Sequence, residues 1–151
     1  MRRHYETEQD RSREHNAITH VGRLWNCKGF KLPDRYWIDY ALTRNGRVCA
    51  WAEVKCRTMK YPTIILSMQK VMFGRLLAKE TGLPFFLIVM YENGDWFYLD
   101  ITAAPFTLGW GGVGNMRDSQ DREPLCHFAI PKTLQHFDGG NYVENYIERQ
   151  R

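Results

Sequence analysis

Residues 36–57 read "YWIDYALTRNGRVCAWAEVKCR", two apolar, β-prone runs joined by Asn45-Gly46. Asn-Gly between such runs is a strong hairpin signal. The pattern predicts strands over 36–42 and 47–54. Yet Asp39, Glu53 and Lys55 stand inside these runs, and charged side chains are seldom fully buried unless they are paired or bind something.

Side chains alternate along a strand, so Glu53 and Lys55 share a face. Whether Asp39 joins them depends on the hairpin register. A two-residue Asn45-Gly46 turn sets Arg44 against Arg47 and Asp39 against Ala52, with Glu53 pointing away. A three-residue loop, Arg44-Asn45-Gly46, sets Thr43 against Arg47 and Asp39 against Trp51. Asp39 and Glu53 are then diagonal neighbours on one face. Gly46 can supply the left-handed residue of that loop, so the three-residue register is the expected one.

The segment before the hairpin adds a third carboxylate. Residues 5–26 read as a helix, with Ala17, Ile18, Val21, Leu24 and Trp25 recurring at helical spacing, and "KGFKLP" breaks it. One turn back from Ile18 along the apolar line lies Glu14, expected to face the sheet; Glu8 is the fallback. Three carboxylates and a lysine on one face make an oxygen-rich site for a hard divalent cation, which takes one or two carboxylates, waters and substrate phosphate. Taken alone, the D-x13-E-x-K spacing is a weak signal, because a Glu53–Lys55 ion pair at a sheet edge would produce the same letters. The apolar context of both strands and the inward glutamate favour the site.

The rest of the chain reads as a continuation of one α/β unit. Thr63–Ser67 is expected as a third strand, with Ser67 capping a helix over 68–81 that Gly82 and Pro84 stop. "FFLIVMY", 85–91, is continuously apolar and predicts a central strand buried on both faces. A turn and a strand follow in "ENGDWFYLDI". The glycine-rich stretch 104–124 reads as a long loop, 125–131 as a last strand and 131–137 as a short helix. The order gives a compact α/β arrangement around a mixed sheet.

Composition limits the alternatives. At 151 residues, with 44% hydrophobic and 14% aromatic residues, the chain can bury a real core. No apolar run approaches the roughly 18 residues of a membrane span. The charged first residues do not read as a signal peptide, so a cytoplasmic protein is expected. Cys27, Cys49, Cys56 and Cys126 show no C-x-x-C spacing and suggest neither a zinc knuckle nor a redox pair. Residues 1–60 hold 13 Lys and Arg against 7 Asp and Glu, a net +6, whereas 61–151 hold 8 against 10, a net −2. The part with the odd carboxylates is thus the basic part, which suits a polyanionic partner as well as an ordinary basic surface.

With "YWIDYAL" carrying Asp39, "AWAEVKCR" carrying Glu53 and Lys55, and a preceding helix carrying Glu14, residues 8–91 resemble the PD-(D/E)xK nuclease superfamily. Its restriction-endonuclease-like fold is shared with Holliday-junction resolvases and small phage nucleases. Ile38 stands where the superfamily's name has a proline. The resemblance implies an α-β-β-β-α-β core with a central mixed sheet flanked by helices. It implies a single nuclease domain over 1–151, with its core at about 8–101 and a long loop, strand and short helix over 102–151. It further implies Asp39, Glu53 and the Val54 carbonyl as metal ligands, Lys55 as the catalytic lysine, Glu14 as a helix-borne acid, and Gln69 or Lys70 as an accessory group. The cofactor is then Mg²⁺, with Mn²⁺ as a substitute. The partner is DNA, branched DNA such as a four-way junction included, and the place a bacterial or phage-infected cytoplasm. A homodimer suits the cutting of two strands.

Arg13, Arg57 and Lys60, close to these residues in sequence, are candidates for the phosphate backbone. His4, His15, His20, His127 and His136 show no ligand spacing. "GWGGVG", 109–114, does not sit between a strand and a helix and so does not read as a phosphate loop. The expected activity is metal-dependent DNA cleavage. A non-catalytic DNA-binding protein on the same scaffold, or an RNA nuclease, are the readings to be separated from it.

Overall fold

A computed structural model describes residues 7–111 and 123–137. Helix α1 spans Glu8–Trp25, and Thr7 closes a capping box with Asp10 at its start. Its last turn ends at Asn26, which takes the left-handed conformation (φ 53°). "KGFK", expected only to break the helix, instead forms strand β1, Lys28–Lys31. Strand β2 is Tyr40–Arg44 and β3 is Arg47–Arg57. The first predicted strand therefore begins four residues late, because 36–39 are bends, while the second runs three residues further than its alternation suggested.

The hairpin corrects the expected register. Asn45 (φ 51°) and Gly46 (φ 73°) form a two-residue turn, with Arg44 opposite Arg47. Both central residues have positive φ, which Asn and Gly tolerate and which matches the twist of paired strands. The extra residue sits inside β3 instead. Thr43 pairs Val48 and Leu42 pairs Ala50, so Cys49 is bulged out. From there Ala41 faces Trp51 and Tyr40 faces Ala52. The next step of the same register brings Asp39 beside Glu53. A bulge in the strand thus restores the shared face that a two-residue turn alone would have lost.

Strand β4 (Thr63–Ser67) leads directly into helix α2 (Met68–Thr81), where Ser67 Oγ accepts the Lys70 N–H at 3.4 Å. Gly82 ends α2 at φ 68°. Strand β5 (Phe85–Tyr91) then pairs in parallel with β3, as expected for a two-sided apolar run, and β6 (Asp95–Asp100) turns back along it. Among the described residues the main sheet has the order β1-β2-β3-β5-β6-β9, with β9 at Gln135–His136.

Three expectations change here. Strand β4 leaves the main sheet and pairs with β8 (Glu123–Ala129), because β5 already occupies the edge of β3. Part of the predicted loop is strand β7 (Thr107–Gly111), which pairs with β8 and completes a second sheet, β4-β8-β7. The predicted short helix at 131–137 is absent, and Gln135–His136 pair with β6. Residues 112–122 of the glycine-rich stretch, and His4, lie outside the described residues.

The main sheet buries both faces. On one, Ala17, Ile18 and Val21 of α1 pack on Tyr40, Leu42, Ala50, Ala52, Val54 and Trp96. On the other, Val71 and Ala78 of α2 pack with Leu87, Val89 and Phe97, together with the small sheet's Ile64, Leu66 and Phe128. Helix α2 crosses close over Phe85 at Gly74, where a Cβ would meet the Phe85 ring at 2.0 Å. Ile38, at the position of the superfamily's proline, is buried in this second core and anchors the residue that follows it.

Candidate active site

The site forms where β3 outruns its neighbour. The β2 ladder ends at Tyr40–Ala52, while Glu53–Arg57 continue beside β5 alone. Val54 N–H points to the open edge and, instead of a ladder partner, meets Asp39 Oδ2 at 3.0 Å. In return Asp39 N–H donates to Glu53 Oε2 at 3.2 Å. The Asp39 carbonyl accepts from Leu32 N–H at 2.7 Å, fixing the backbone of the bend. Each carboxylate is thus latched through one oxygen by a main-chain donor, and the other oxygen of each is turned to side chains. The N–H and C=O of one strand residue leave the same edge. The Val54 carbonyl therefore also belongs to this open side.

Lysines face the remaining oxygens. Lys55 Nζ lies 3.3 Å from Glu53 Oε1. Lys70 of α2 contacts Glu53 Oε1 and lies 3.9 Å from Asp39 Oδ1. Lys31 of β1 lies 3.6 Å from Asp39 Oδ1 and 2.7 Å from Glu14 Oε2. Three carboxylates and three ammonium groups, formally neutral together, occupy one corner of the sheet. Glu53 is fully buried, whereas Asp39 keeps 14% of its side chain exposed.

Burial sets the electrostatics of this corner. It pushes the Glu53 carboxyl above its ordinary value, against Lys55 and Lys70, which lower it. For Lys70, burial acts downward, but Glu53 and Asp39 outweigh it, and the ammonium is held above its ordinary value. A buried carboxylate that remains unstable without cations beside it is suited to receiving one.

The donor set fits a divalent ion of the Mg²⁺ type. Among the described residues no group of three His, Cys, Asp or Glu side chains forms a ready-made cage. Two carboxylate oxygens, Asp39 Oδ1 and Glu53 Oε1, already share one cationic group, Lys70 Nζ. Two carboxylates with a main-chain carbonyl and open coordination positions are what Mg²⁺ takes when it keeps its waters.

The structure brings together Glu14, Asp39, Glu53, Lys55 and Lys70 from the sequence reading; Gln69 is exposed on α2. Arg13 and Arg57 line a common cleft of about 640 Å³, together with Asn16, Cys56, Glu92 and His136. There Arg13 pairs with Glu92 at 2.9 Å. Lys60 is drawn elsewhere, to Asp95 and over the Tyr91 ring. Sequence reasoning misses Lys31, because "KGFK" reads there only as a helix break. The signal was there: a short basic run just before the Asp-bearing strand, able to pair with it through Tyr40.

Residues 1–135 match the family described as "Phage putative PDDEXK endonuclease". The chain belongs to this family. With it comes membership of the PD-(D/E)xK nuclease superfamily, and the α/β core of a mixed sheet flanked by α1 and α2 agrees with the order expected from the sequence resemblance. The chain is also similar to the solved structure of Hjc, a Holliday junction resolvase from Archaeoglobus fulgidus, at 13% identity. That match covers 89% of this chain and 95% of that one, with a TM-score of 0.47. No curated protein matches the sequence. Among the described residues no helix is long and apolar enough to cross a membrane.

Proposed function

We propose that this endonuclease-family protein is a Mg²⁺-dependent DNA endonuclease, with Mn²⁺ able to replace Mg²⁺. The observation that carries the reading is the latched pair: Asp39 and Glu53 each fixed through one oxygen and each turning the other toward a shared cation. Asp39 Oδ1, Glu53 Oε1 and the Val54 carbonyl would hold the ion. A bound Mg²⁺ lowers the pKa of water and neutralises charge building up on a phosphate.

The chain's own groups do the rest. Lys55, beside Glu53 Oε1, donates to the attacked phosphate or orients the water. Glu14 holds Lys31 against Asp39 and so keeps that carboxylate oriented. Arg13 and Arg57, on one cleft at the end of β3, take the neighbouring backbone phosphates without reading bases. Water's oxygen forms a bond to phosphorus as a P–O bond of the backbone breaks, leaving a phosphate monoester and a hydroxyl. Branched DNA is the first substrate to try on the superfamily resemblance. Cutting both strands of a junction takes two such sites and hence a homodimer.

The test is cleavage of labelled four-way junction, linear duplex, single-stranded DNA and RNA, with Mg²⁺, Mn²⁺ or EDTA, beside Glu53→Gln. Metal-dependent DNA cutting that the variant loses supports the reading. Preferential RNA cutting would make the protein a ribonuclease. DNA binding with no cutting under any of these conditions would reduce it to a binding protein.

A further inference from the structure

Of the three lysines at the site, Lys70 stands in a different relation to the carboxylates. Among the described ion pairs, Lys55 meets Glu53 and Lys31 meets Asp39 and Glu14, whereas Lys70 Nζ meets both Glu53 Oε1 and Asp39 Oδ1. These two oxygens are the ones left over when the main-chain latch has taken Asp39 Oδ2 and Glu53 Oε2. The ammonium therefore sits between the same two atoms that a divalent ion needs. The ammonium contacts Glu53 Oε1 and lies 3.9 Å from Asp39 Oδ1, so a hard cation at about 2 Å from each oxygen would take the space it fills, and the two exclude one another.

Two features make this occupancy a poised one. Lys70 lies in the first turn of α2, which has no acidic residue, so the helix end repels its charge and only the carboxylates retain it. Its side chain is also about one-fifth exposed, so the ammonium has a way out to water or to an incoming anion.

We propose that Lys70 is the built-in counter-cation of the Asp39–Glu53 pair, and that a divalent ion loads by displacing it. This rests on the metal-site reading given above. Until it is displaced, Lys70 keeps the fully buried Glu53 charge neutralised and the two carboxylates aligned. A backbone phosphate at the site offers the released ammonium a new anionic partner, so DNA and metal favour one another's binding. The protein then holds metal weakly until substrate arrives.

The test measures Mn²⁺ binding in the absence of DNA, from the loss of the free-ion paramagnetic resonance signal. Wild type is compared with Lys70→Met, Lys70→Arg, Asp39→Asn and Glu53→Gln, each checked for folding by circular dichroism. Lys70→Met should bind Mn²⁺ about tenfold more tightly than wild type, the size of one charge-assisted contact removed from competition. Lys70→Arg, which keeps a cation in place, should stay near wild type. If Lys70→Met binds equally or more weakly while Asp39→Asn and Glu53→Gln lose binding, the metal site stands and the displacement fails. If the two carboxylate variants bind as wild type does, or if no form binds Mn²⁺, the metal-site reading itself falls and the displacement with it. Should Lys70→Met not fold, Lys70→Gln makes the same comparison.

Discussion

Two clusters of acids and bases sit on the same sheet and behave in opposite ways. At the open edge of β3, Glu53 is fully buried among Lys55 and Lys70, and burial holds its carboxyl above the ordinary range. At the turn into β6, Asp95 is surrounded as densely: Lys60 and Asn93 bond Oδ2, and His136 Nδ1 lies 2.9 Å from Oδ1. There the hydrogen bonds of Lys60, His136 and Asn93 pull the carboxyl well below its ordinary range. The two differ in solvent. Asp95 keeps water and spends both oxygens on side chains that clasp the Lys60 loop and β9 to β6. Glu53 has lost water, spends one oxygen on a backbone donor and leaves the other to cations. An ionised group that its surroundings have already satisfied is a fastener; one that they hold at a cost is a candidate site.

The sharpest way to break this contrast is to neutralise each acid. On the proposed metal-site reading, Glu53→Gln should lower metal-dependent cleavage by about a thousandfold, the effect of losing a ligand that supplies several kcal/mol of transition-state charge stabilisation. The variant should remain folded, since an amide of the same shape removes a buried charge. Asp95→Asn should leave the cleavage rate within a fewfold of wild type. Single-turnover cutting of the preferred DNA reads both, and equal losses in the two variants would end the distinction.

A second test concerns burial as the cause. His20 of α1 lies under Phe137, with ring centroids 4.1 Å apart, and edge-on to Trp96 at 5.2 Å. Burial, with a smaller contribution from Arg23, lowers its pKa from 6.5 to about 4. The fold therefore prefers the neutral ring. Between these two values the unfolded chain binds more protons, so stability falls as pH drops from 6.5 toward 4. At pH 4.5 the loss attributable to His20 should be about 2–3 kcal/mol relative to pH 7. Denaturant titrations of wild type and His20→Phe at both pH values isolate it: the variant should lose less by that amount. An identical pH response in the two proteins would mean that burial does not govern this group.

How far the sequence carried these conclusions depended on how local the cause was. Helix α2, its Ser67 cap and its Gly82 stop were legible because capping and termination are decided within a few residues. So was the two-sided burial of β5, from an unbroken apolar run. The convergence of Asp39 and Glu53 was legible too, but for a reason that proved different. The turn has two residues and the compensating bulge is at Cys49, a choice made by turn φ values and by packing along the whole ladder. Strand β4 could not be placed, since its alternation states that one face is buried and not against which sheet. Lys31 stayed hidden because its role exists only once β1 is laid beside β2. Lys70 and Gln69 could not be told apart until the helix phase was fixed by Val71, Gly74 and Ala78 facing inward.

The smallest expected effect concerns the fastener itself. Asp95 has its pKa depressed, so its contribution to stability is present above the unfolded value near 3.8 and is lost as pH falls below it. Asp95→Asn removes the charge attraction to Lys60, while Asn can still accept a hydrogen bond at one position. Ion pairs this open to water are weak and screened by salt. The variant should therefore melt only slightly below wild type at pH 7 in low salt, with the gap closing as salt is raised or as pH drops below about 3. Thermal melts across that grid give the answer. A large loss that is indifferent to salt would mean that the clasp carries packing, the β9 strand held by His136 included, and that Asp95 resembles Glu53 more than its exposure suggests.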